Sequence, residues 1–439
     1  SSLNAAGTYY YDQIIDHNDK KSGTFKQRYF VNSSCYKPGG PIFITTAGES
    51  SIVISEVSQS GISEIASFFG GLLIAVEHRF YGKSYPPVPD LQAKNLKTLT
   101  VEQALADFAR FIAYPPDIPV KIPKHSKWIF VGGSYAGNIA TWMREKYPEL
   151  VFAAWASSAP LLAKINFFEY DQEVGRVLPC RKDVADAISF VNEVLLSGNK
   201  TAINALKAQY GLGVLENDQD FASAIVLPQS SIVQSYFPPL SSNDIDTIAA
   251  FCGAFSSAPN KNPATLNAVL AEIFKFYLNT TGLTNDKAIA DFFATTSISL
   301  TVPNDVATYT YQFGWYQTAP KPPLQSYRPQ IVNVAYYQYQ CDFLFPKIPP
   351  PQVKKTNSEF GGNTKKFSRT VFVTGGSDPW TPLTISGSDK HTISENAVFI
   401  IVNGSHINDL RFPSPVDSAS LTAARKFVKD KLSEWLKHY

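Results

Sequence analysis

Methionine occurs once, at Met143, and cysteine only four times in 439 residues. Charge is also sparse: 17% of residues are charged and the net charge is +2. So weak a balance gives no footing for nucleic acid or an acidic membrane surface as a partner. No apolar run approaches the ~20 residues needed to span a bilayer. Cys35, Cys180, Cys252 and Cys341 lie far apart and form no CxxC metal or redox pair, so no metal and no other cofactor is expected. Their even number leaves room for two disulfides in any of three connectivities. Hydrophobic residues, by contrast, make up 44% of the chain, with Tyr and Phe abundant. That suffices for two or three domains, or for one core carrying a large insertion. Acceptor sequons begin at Asn32, Asn199, Asn279 and Asn403. Together with the cysteines and the low charge they point to a secreted protein, or one of a lysosomal or vacuolar compartment. The start at Ser1-Ser2-Leu3 reads as a processed or trimmed N-terminus.

Apolar runs at Pro41–Thr46, Leu72–Val76, Trp128–Val131, Phe152–Ala156, Thr370–Thr374 and Ala397–Val402 read as buried strands. The alternating stretch Phe25–Val31 reads as an edge strand. Thr100 is placed as an N-cap, and Val101, Ala104, Leu105, Phe108, Phe111 and Ile112 share one helical face. Strands alternating with helices predict an α/β fold with a mostly parallel sheet. The rhythm stops near Leu162. Residues 166–365 are mostly helical in pattern, as in Asp183–Leu196 and Ala264–Leu278, with aromatic, proline-rich interruptions. Residues 1–165 and 366–439 are therefore expected to form one α/β core, and 166–365 a mainly helical cap. A surface loop at Glu359–Lys366 should close the insertion, and an amphipathic helix, Ser418–Lys437, should end the chain.

The stretch Val131-Gly132-Gly133-Ser134-Tyr135-Ala136-Gly137 joins a buried strand to a helix. A serine there, with small residues two before and two after it, is a nucleophile elbow: the strained turn lifts the hydroxyl above the sheet edge. Ala136 stands where the strict pattern has glycine. An ordinary glycine-rich turn would also fit this motif, so its partners decide. A serine nucleophile needs a base, and the base an orienting acid. The α/β-hydrolase fold delivers them in the order serine, acid, histidine, after successive strands. Asp378 follows the strand ending at Thr374, and His406 follows the strand ending at Val402. Each alone is equally a turn aspartate or a loop histidine; together, in this order, they nominate Ser134, Asp378 and His406. Of the other histidines, His17, His125, His391 and His438 are poorly placed. His78 follows a buried strand but precedes the serine, so Glu77-His78-Arg79 reads as a structural cluster beside the site. The N–H of Tyr135 and the Gly48-Glu49 turn are the candidate oxyanion donors.

Several stretches together resemble the proline-specific serine peptidases, the group of lysosomal Pro-X carboxypeptidase, dipeptidyl peptidase II and secreted fungal prolyl endopeptidases. They are FKQRYF (Phe25–Phe30), GGPIFITTAGE (Gly39–Glu49), EHRFYG (Glu77–Gly82), LTVEQALADF (Leu99–Phe108), VGGSYAG (Val131–Gly137), SSAP (Ser157–Pro160), Asp378-Pro379-Trp380 and HINDLR (His406–Arg411). Tyr11–Arg28 is most similar to the fungal endopeptidase branch. The resemblance covers both α/β segments closely and the insertion loosely. It implies an α/β-hydrolase fold with a helical cap, and matches Ser134, Asp378 and His406 to the family's triad. It also matches Trp380 to a tryptophan facing the proline ring. Around Tyr309–Tyr316, where relatives usually carry a cysteine and a glutamate, this chain has Gly314 and Tyr316. The family's disulfides are therefore not carried over, and how a peptide terminus would be held is left open. Glu49 and Asp342 are candidate partners for a substrate amine.

These readings predict a serine peptidase that cuts proline-containing peptides or proteins on the carboxyl side of proline through an acyl-enzyme, acting as a monomer or homodimer. The resemblance favours an endopeptidase. An exopeptidase of either kind, an esterase or lipase on the same fold, and a catalytically dead binding protein are the alternatives.

Overall fold

The computed structural model describes residues 6–237, 245–297, 312–386 and 396–438. Eight strands form one sheet: β1 (Ala6–Ile14), β2 (Thr24–Asn32), β3 (Ile42–Thr45), β4 (Leu72–Val76), β5 (Trp128–Gly133), β6 (Val151–Ser157), β9 (Thr370–Gly375) and β10 (Ala397–Ile401). Their spatial order is β1-β2-β4-β3-β5-β6-β9-β10. From β4 to β10 every neighbour is parallel, and only β1–β2 and β2–β4 are antiparallel. β3 to β6 and β9 read as near-continuous apolar runs because helices cover both faces, so inward and outward positions are equally dry.

Alternate residues feed two cores. On one face Ile42, Ile44, Leu72, Ile74 and Phe130 pack with helices Val101–Ala113 and Tyr135–Lys146. On the other, Phe43, Leu73, Ile129, Val131 and Val371 meet helices Gly61–Phe68 and Ala419–His438. The expected strands, the helix after Thr100 and the final helix are all present. Phe25–Val31 is corrected: it lies inside β2, which pairs on both sides, and β1 is the edge. Its alternation arises because Thr24 and Lys26 at the start of β2 are exposed on one face, which a sequence pattern cannot distinguish from a free edge.

The chain leaves the sheet after β6 and returns at β9, β6's immediate neighbour. The excursion carries helices that include Glu169–Val177, Arg181–Leu196, Leu227–Gln234, Thr247–Ala254 and Pro263–Thr280. Asp246 and Asn262 cap the last two, each accepting a backbone N–H of the first turn. A short parallel pair, β7 (Lys164–Asn166) with β8 (Gly314–Tyr316), ties the return of the excursion to its exit. The Glu359–Lys366 stretch begins as the last turn of helix Val353–Phe360, which stops at left-handed Gly361. The excursion is continuous with the first core: Phe167, Tyr170, Val174 and Phe274 belong to the same packed cluster as Ile42 and Phe130.

β3 is followed in sequence by β4 on one side and flanked by β5 on the other. The direction of winding reverses there, so the loops after β3 and β5 diverge and leave a crevice at their carboxyl ends. Gly48 belongs to one loop and Ser134 to the other.

Candidate active site

Ser134 lies at the junction of β5 and helix Tyr135–Lys146 with φ 56° and ψ −131°. A non-glycine residue holds such a backbone only where its surroundings over-determine it. Here the Ser134 N–H donates to Ser157 O (2.9 Å), and the Ser134 carbonyl accepts from Gly137 N (2.8 Å). A Cβ at Gly132 would fall on the carbonyl of Ala136, so this position must be glycine. Ala136 fits because the residue facing it is Gly48, held at φ 72° by the β3 turn. A Cβ on Gly48 would sit 3.2 Å from Ala136 N and 3.4 Å from the Ala136 methyl. The departure from the strict motif is thus absorbed across the crevice.

Asp378 is fully buried, and its two oxygens have separate tasks. Oδ1 accepts the backbone N–H of Trp380 (3.0 Å), and Oδ2 lies 2.9 Å from Nδ1 of His406. With Nδ1 committed to the carboxylate, Nε2 is the ring nitrogen left for a hydroxyl. The His406 loop is pinned from both sides. Ile407 N donates to Ser158 Oγ (3.0 Å) beside the elbow, and Ser405 Oγ donates to the carbonyls of Val233 (2.6 Å) and Gln234 (2.9 Å) in the excursion. Ile407 also reaches the elbow itself: a Cβ on Gly133 would lie 2.7 Å from its Cγ2. Sequence order alone nominated Ser134, Asp378 and His406; the structure joins Asp378 to His406 and sets their loop against the Ser134 turn.

Tyr135, whose N–H is the candidate oxyanion donor, has its own ring buried, and its hydroxyl lies 3.0 Å from Nε2 of His78. His78 Nδ1 is 2.7 Å from Arg79 O. Burial pulls His78 down to about 4 from 6.5, so its neutral ring braces Tyr135. Arg79 grips Asp107 through Nε and Nη2 (2.7 and 2.6 Å), and Glu77 takes Arg28 (2.5 Å) and Ser84 (2.7 Å). The Glu77-His78-Arg79 run is the structural cluster expected of it. His17 joins it, Nε2 lying 2.7 Å from Asp107. His391 lies outside the described residues. Gly48 N currently bonds to Thr46 Oγ1 (3.3 Å), and Glu49 follows it, half-buried.

Trp380 is buried against Phe167, Tyr170 and Trp315, with ring centroids 5.4–5.6 Å apart, and stands 6.3 Å from the His406 ring. Trp315 stacks on Phe313, and Phe313 meets Tyr135, so an aromatic wall runs from the elbow to Trp380. Gln234 completes it: its Oε1 accepts from Trp380 Nε1 (3.0 Å) and Tyr170 OH (2.7 Å). Phe167, Tyr170, Gln234, Phe313 and Trp315 carried no motif and were not foreseen. The one available signal was the density of aromatics in the insertion. Asp342 is exposed on helix Val334–Leu344 and accepts from Gln338 (2.8 Å); among the described contacts none ties it to the triad candidates.

The sulfurs resolve into one disulfide, Cys180–Cys252; Cys35 is an exposed thiol, and the buried Cys341 Sγ lies 3.4 Å from the Tyr316 hydroxyl. Of the sequons, Asn199, Asn279 and Asn403 are exposed, whereas the Asn32 amide donates to Val57 O (2.6 Å). Among the described residues no cluster of His, Cys, Asp and Glu could hold a metal, and no helix is long and apolar enough to cross a membrane.

A serine on a strained strand-to-helix turn, a carboxylate and a histidine joined after the strands two and three places along the sheet, and this sheet order define a protein of the α/β-hydrolase fold. Solved structures similar to the chain include an acetylester hydrolase from Corynebacterium glutamicum (TM-score 0.43, 10% identity, covering 98% of this chain and 96% of that one). Another is a proline iminopeptidase from Mycobacterium smegmatis (TM-score 0.38, 11% identity, covering 97% and 98%). A family model described as Serine carboxypeptidase S28 matches residues 13–428. The human thymus-specific serine protease is 31% identical over 97% of this chain and 86% of its own length. A probable extracellular serine carboxypeptidase of Arthroderma benhamiae is 26% identical over 99% and 69%. The chain belongs to the S28 family of serine peptidases.

Proposed function

We propose that the chain hydrolyses peptide bonds on the carboxyl side of proline, with Ser134 as nucleophile, His406 as base and acid, and Asp378 as its orienting carboxylate. Ser134 Oγ adds to the carbonyl carbon while its proton passes to Nε2 of His406. The oxyanion takes the N–H of Tyr135 and one from the Gly48-Glu49 turn, released from Thr46 or aligned beside it. The His406 proton then goes to the departing amine, the C–N bond breaks, and an acyl-enzyme remains. Water, deprotonated by the same nitrogen, releases the acid and restores Ser134. Asp378, buried and joined to Nδ1, fixes the tautomer and stabilises the imidazolium that forms at each step.

The observation that carries the proline reading is the aromatic box of Trp380, Phe167, Tyr170 and Trp315, attached to the site through the Trp380 N–H on Asp378. A dry wall of flat rings suits a pyrrolidine, which has no N–H to satisfy once it is in a peptide. An endopeptidase is the favoured reading; the family's description as carboxypeptidases supports an exopeptidase as the second. The disulfide and the extracellular relative support a secreted or lysosomal-type setting.

Mass spectrometry of products from a long proline-containing peptide, free and with both ends blocked, tests this. Internal cuts after proline in the blocked peptide are expected. Cleavage of the free peptide alone would give the exopeptidase, and ester hydrolysis indifferent to proline would overturn the reading. Ser134→Ala is expected to lower kcat by roughly 10⁴-fold or more with an unchanged circular-dichroism spectrum.

A further inference from the structure

At His406 a cleft of about 440 Å³ opens, walled by Gln234, Phe237, His406, Ile407, Leu410 and Arg411, and Gln234 is shared with the Trp380 box. Trp380 is not part of its lining. His406 delivers a proton to the departing amine, so the leaving portion of the substrate crosses this histidine. A cleft that includes His406 and is not lined by Trp380 offers that portion a place.

Its lining carries one guanidinium, that of Arg411. The Arg411 guanidinium is exposed and stands 3.5 Å from the centroid of the Phe237 ring, so its plane is steadied by an aromatic face. Its backbone is fixed as well: Arg411 O accepts from Arg425 Nη2 (2.8 Å). The acids nearest in sequence are committed elsewhere. Asp417 holds Arg425 (2.5 Å), and Asp409 faces inward to Trp155 (2.9 Å) and Ser157 (2.5 Å). Among the described residues Arg411 has no carboxylate partner. Phe237, Ile407 and Leu410 are the apolar members of the same lining.

Resting on the proposed cleavage after proline, we infer that Arg411 is a specificity-determining residue that binds a carboxylate on the leaving side of the substrate, beyond an apolar residue seated on Phe237. A guanidinium matches a carboxylate with two parallel hydrogen bonds. That carboxylate is either the substrate's own C-terminus or an acidic side chain one residue further along. The first gives removal of a C-terminal residue after proline; the second gives an internal cut before an apolar-acidic pair.

The test uses four acetylated peptides at a pH where carboxylates are ionised: Ala-Ala-Pro-Phe as free acid and as amide, and Ala-Ala-Pro-Phe-Glu-amide against Ala-Ala-Pro-Phe-Gln-amide. The wild type is expected to favour the carboxylate member of one pair by about tenfold in kcat/KM, equivalent to ~1.4 kcal/mol. The pair that shows the preference identifies the source. Arg411→Gln should bring that ratio to about one, and Arg411→Lys should retain part of it. Because each ratio is measured within one preparation, a partly unfolded variant does not alter it. Ratios near one in the wild type, or a ratio that survives in Arg411→Gln, overturn the inference. A wild type that cuts none of the four after proline overturns the proline reading, and this inference with it.

Discussion

Asp409 is the buried acid of the site region that the proposed chemistry does not use. Trp155 Nε1 and Ser157 Oγ both donate to it, and Ser157 O in turn accepts the N–H of Ser134. Burial raises Asp409 from 3.8 to about 6, against the opposing pull of those two donors and of Arg425. Between pH 4 and 6 the folded chain therefore holds a proton that the unfolded chain has released. The stability this group contributes is complete below about pH 4 and is lost as pH rises through about 6. Two units correspond to on the order of 3 kcal/mol. Asp409→Asn can keep both hydrogen bonds, Oδ1 accepting from Trp155 and Nδ2 donating to Ser157, while removing the titration. Its melting temperature relative to wild type should rise by a few degrees between pH 4 and 7; a constant difference across that range would refute the assignment. His78, pulled down to about 4, acts in the opposite sense on the total curve, which is why the comparison is made against the variant.

The elbow shows what one element can reveal by itself. The small residue at 132 is forced locally, since the turn brings Gly132 against the Ala136 carbonyl, whereas Ala136 also depends on Gly48 across the crevice. Gly132→Ala should cost about 3 kcal/mol or more through that clash. Ala136→Gly should stay within about 1 kcal/mol, the helix propensity of glycine. Chemical-denaturation midpoints of the two variants check the contrast, and equal losses would show that the turn relaxes. Asp378 and His406 were legible for the same local reason, each being the first chemically capable residue past a buried strand. Gln234 was not legible. It stands 146 residues from Trp380, and nothing in Leu227–Gln234 marks its last residue as the group that holds an indole and carries the His406 loop. The same applies to Phe313 and Trp315, which are brought to the wall by the β7–β8 pair.

At the scale of the whole molecule, the excursion and the sheet share one packed core, so the excursion is stabilised from below. Within the excursion, Cys180–Cys252 closes a separation of 72 residues, fixing the start of helix Arg181–Leu196 to helix Thr247–Ala254. In the chain-entropy picture a loop of that length contributes ~4 kcal/mol. The double variant Cys180→Ser, Cys252→Ser should therefore unfold at lower denaturant than wild type, and reductant should move wild type to the same midpoint. A midpoint unaffected by either would show that packing alone holds the helices.

By itself the sequence determined the α/β alternation, the break into a helical excursion, the strained serine turn and the order of the acid and the base. Each of these depends on contacts within a few residues or on the period of a single element. Only the tertiary structure decided that β2 is interior, that Cys180 pairs with Cys252, that His78 braces Tyr135, and that Gln234 and Arg411 line one cleft with His406. Those are contacts between segments far apart in the chain. Cys180, Cys252 and Gln234 fall in the 200-odd residues between β6 and β9, and because those strands lie side by side nothing local in that stretch fixes where it meets the sheet.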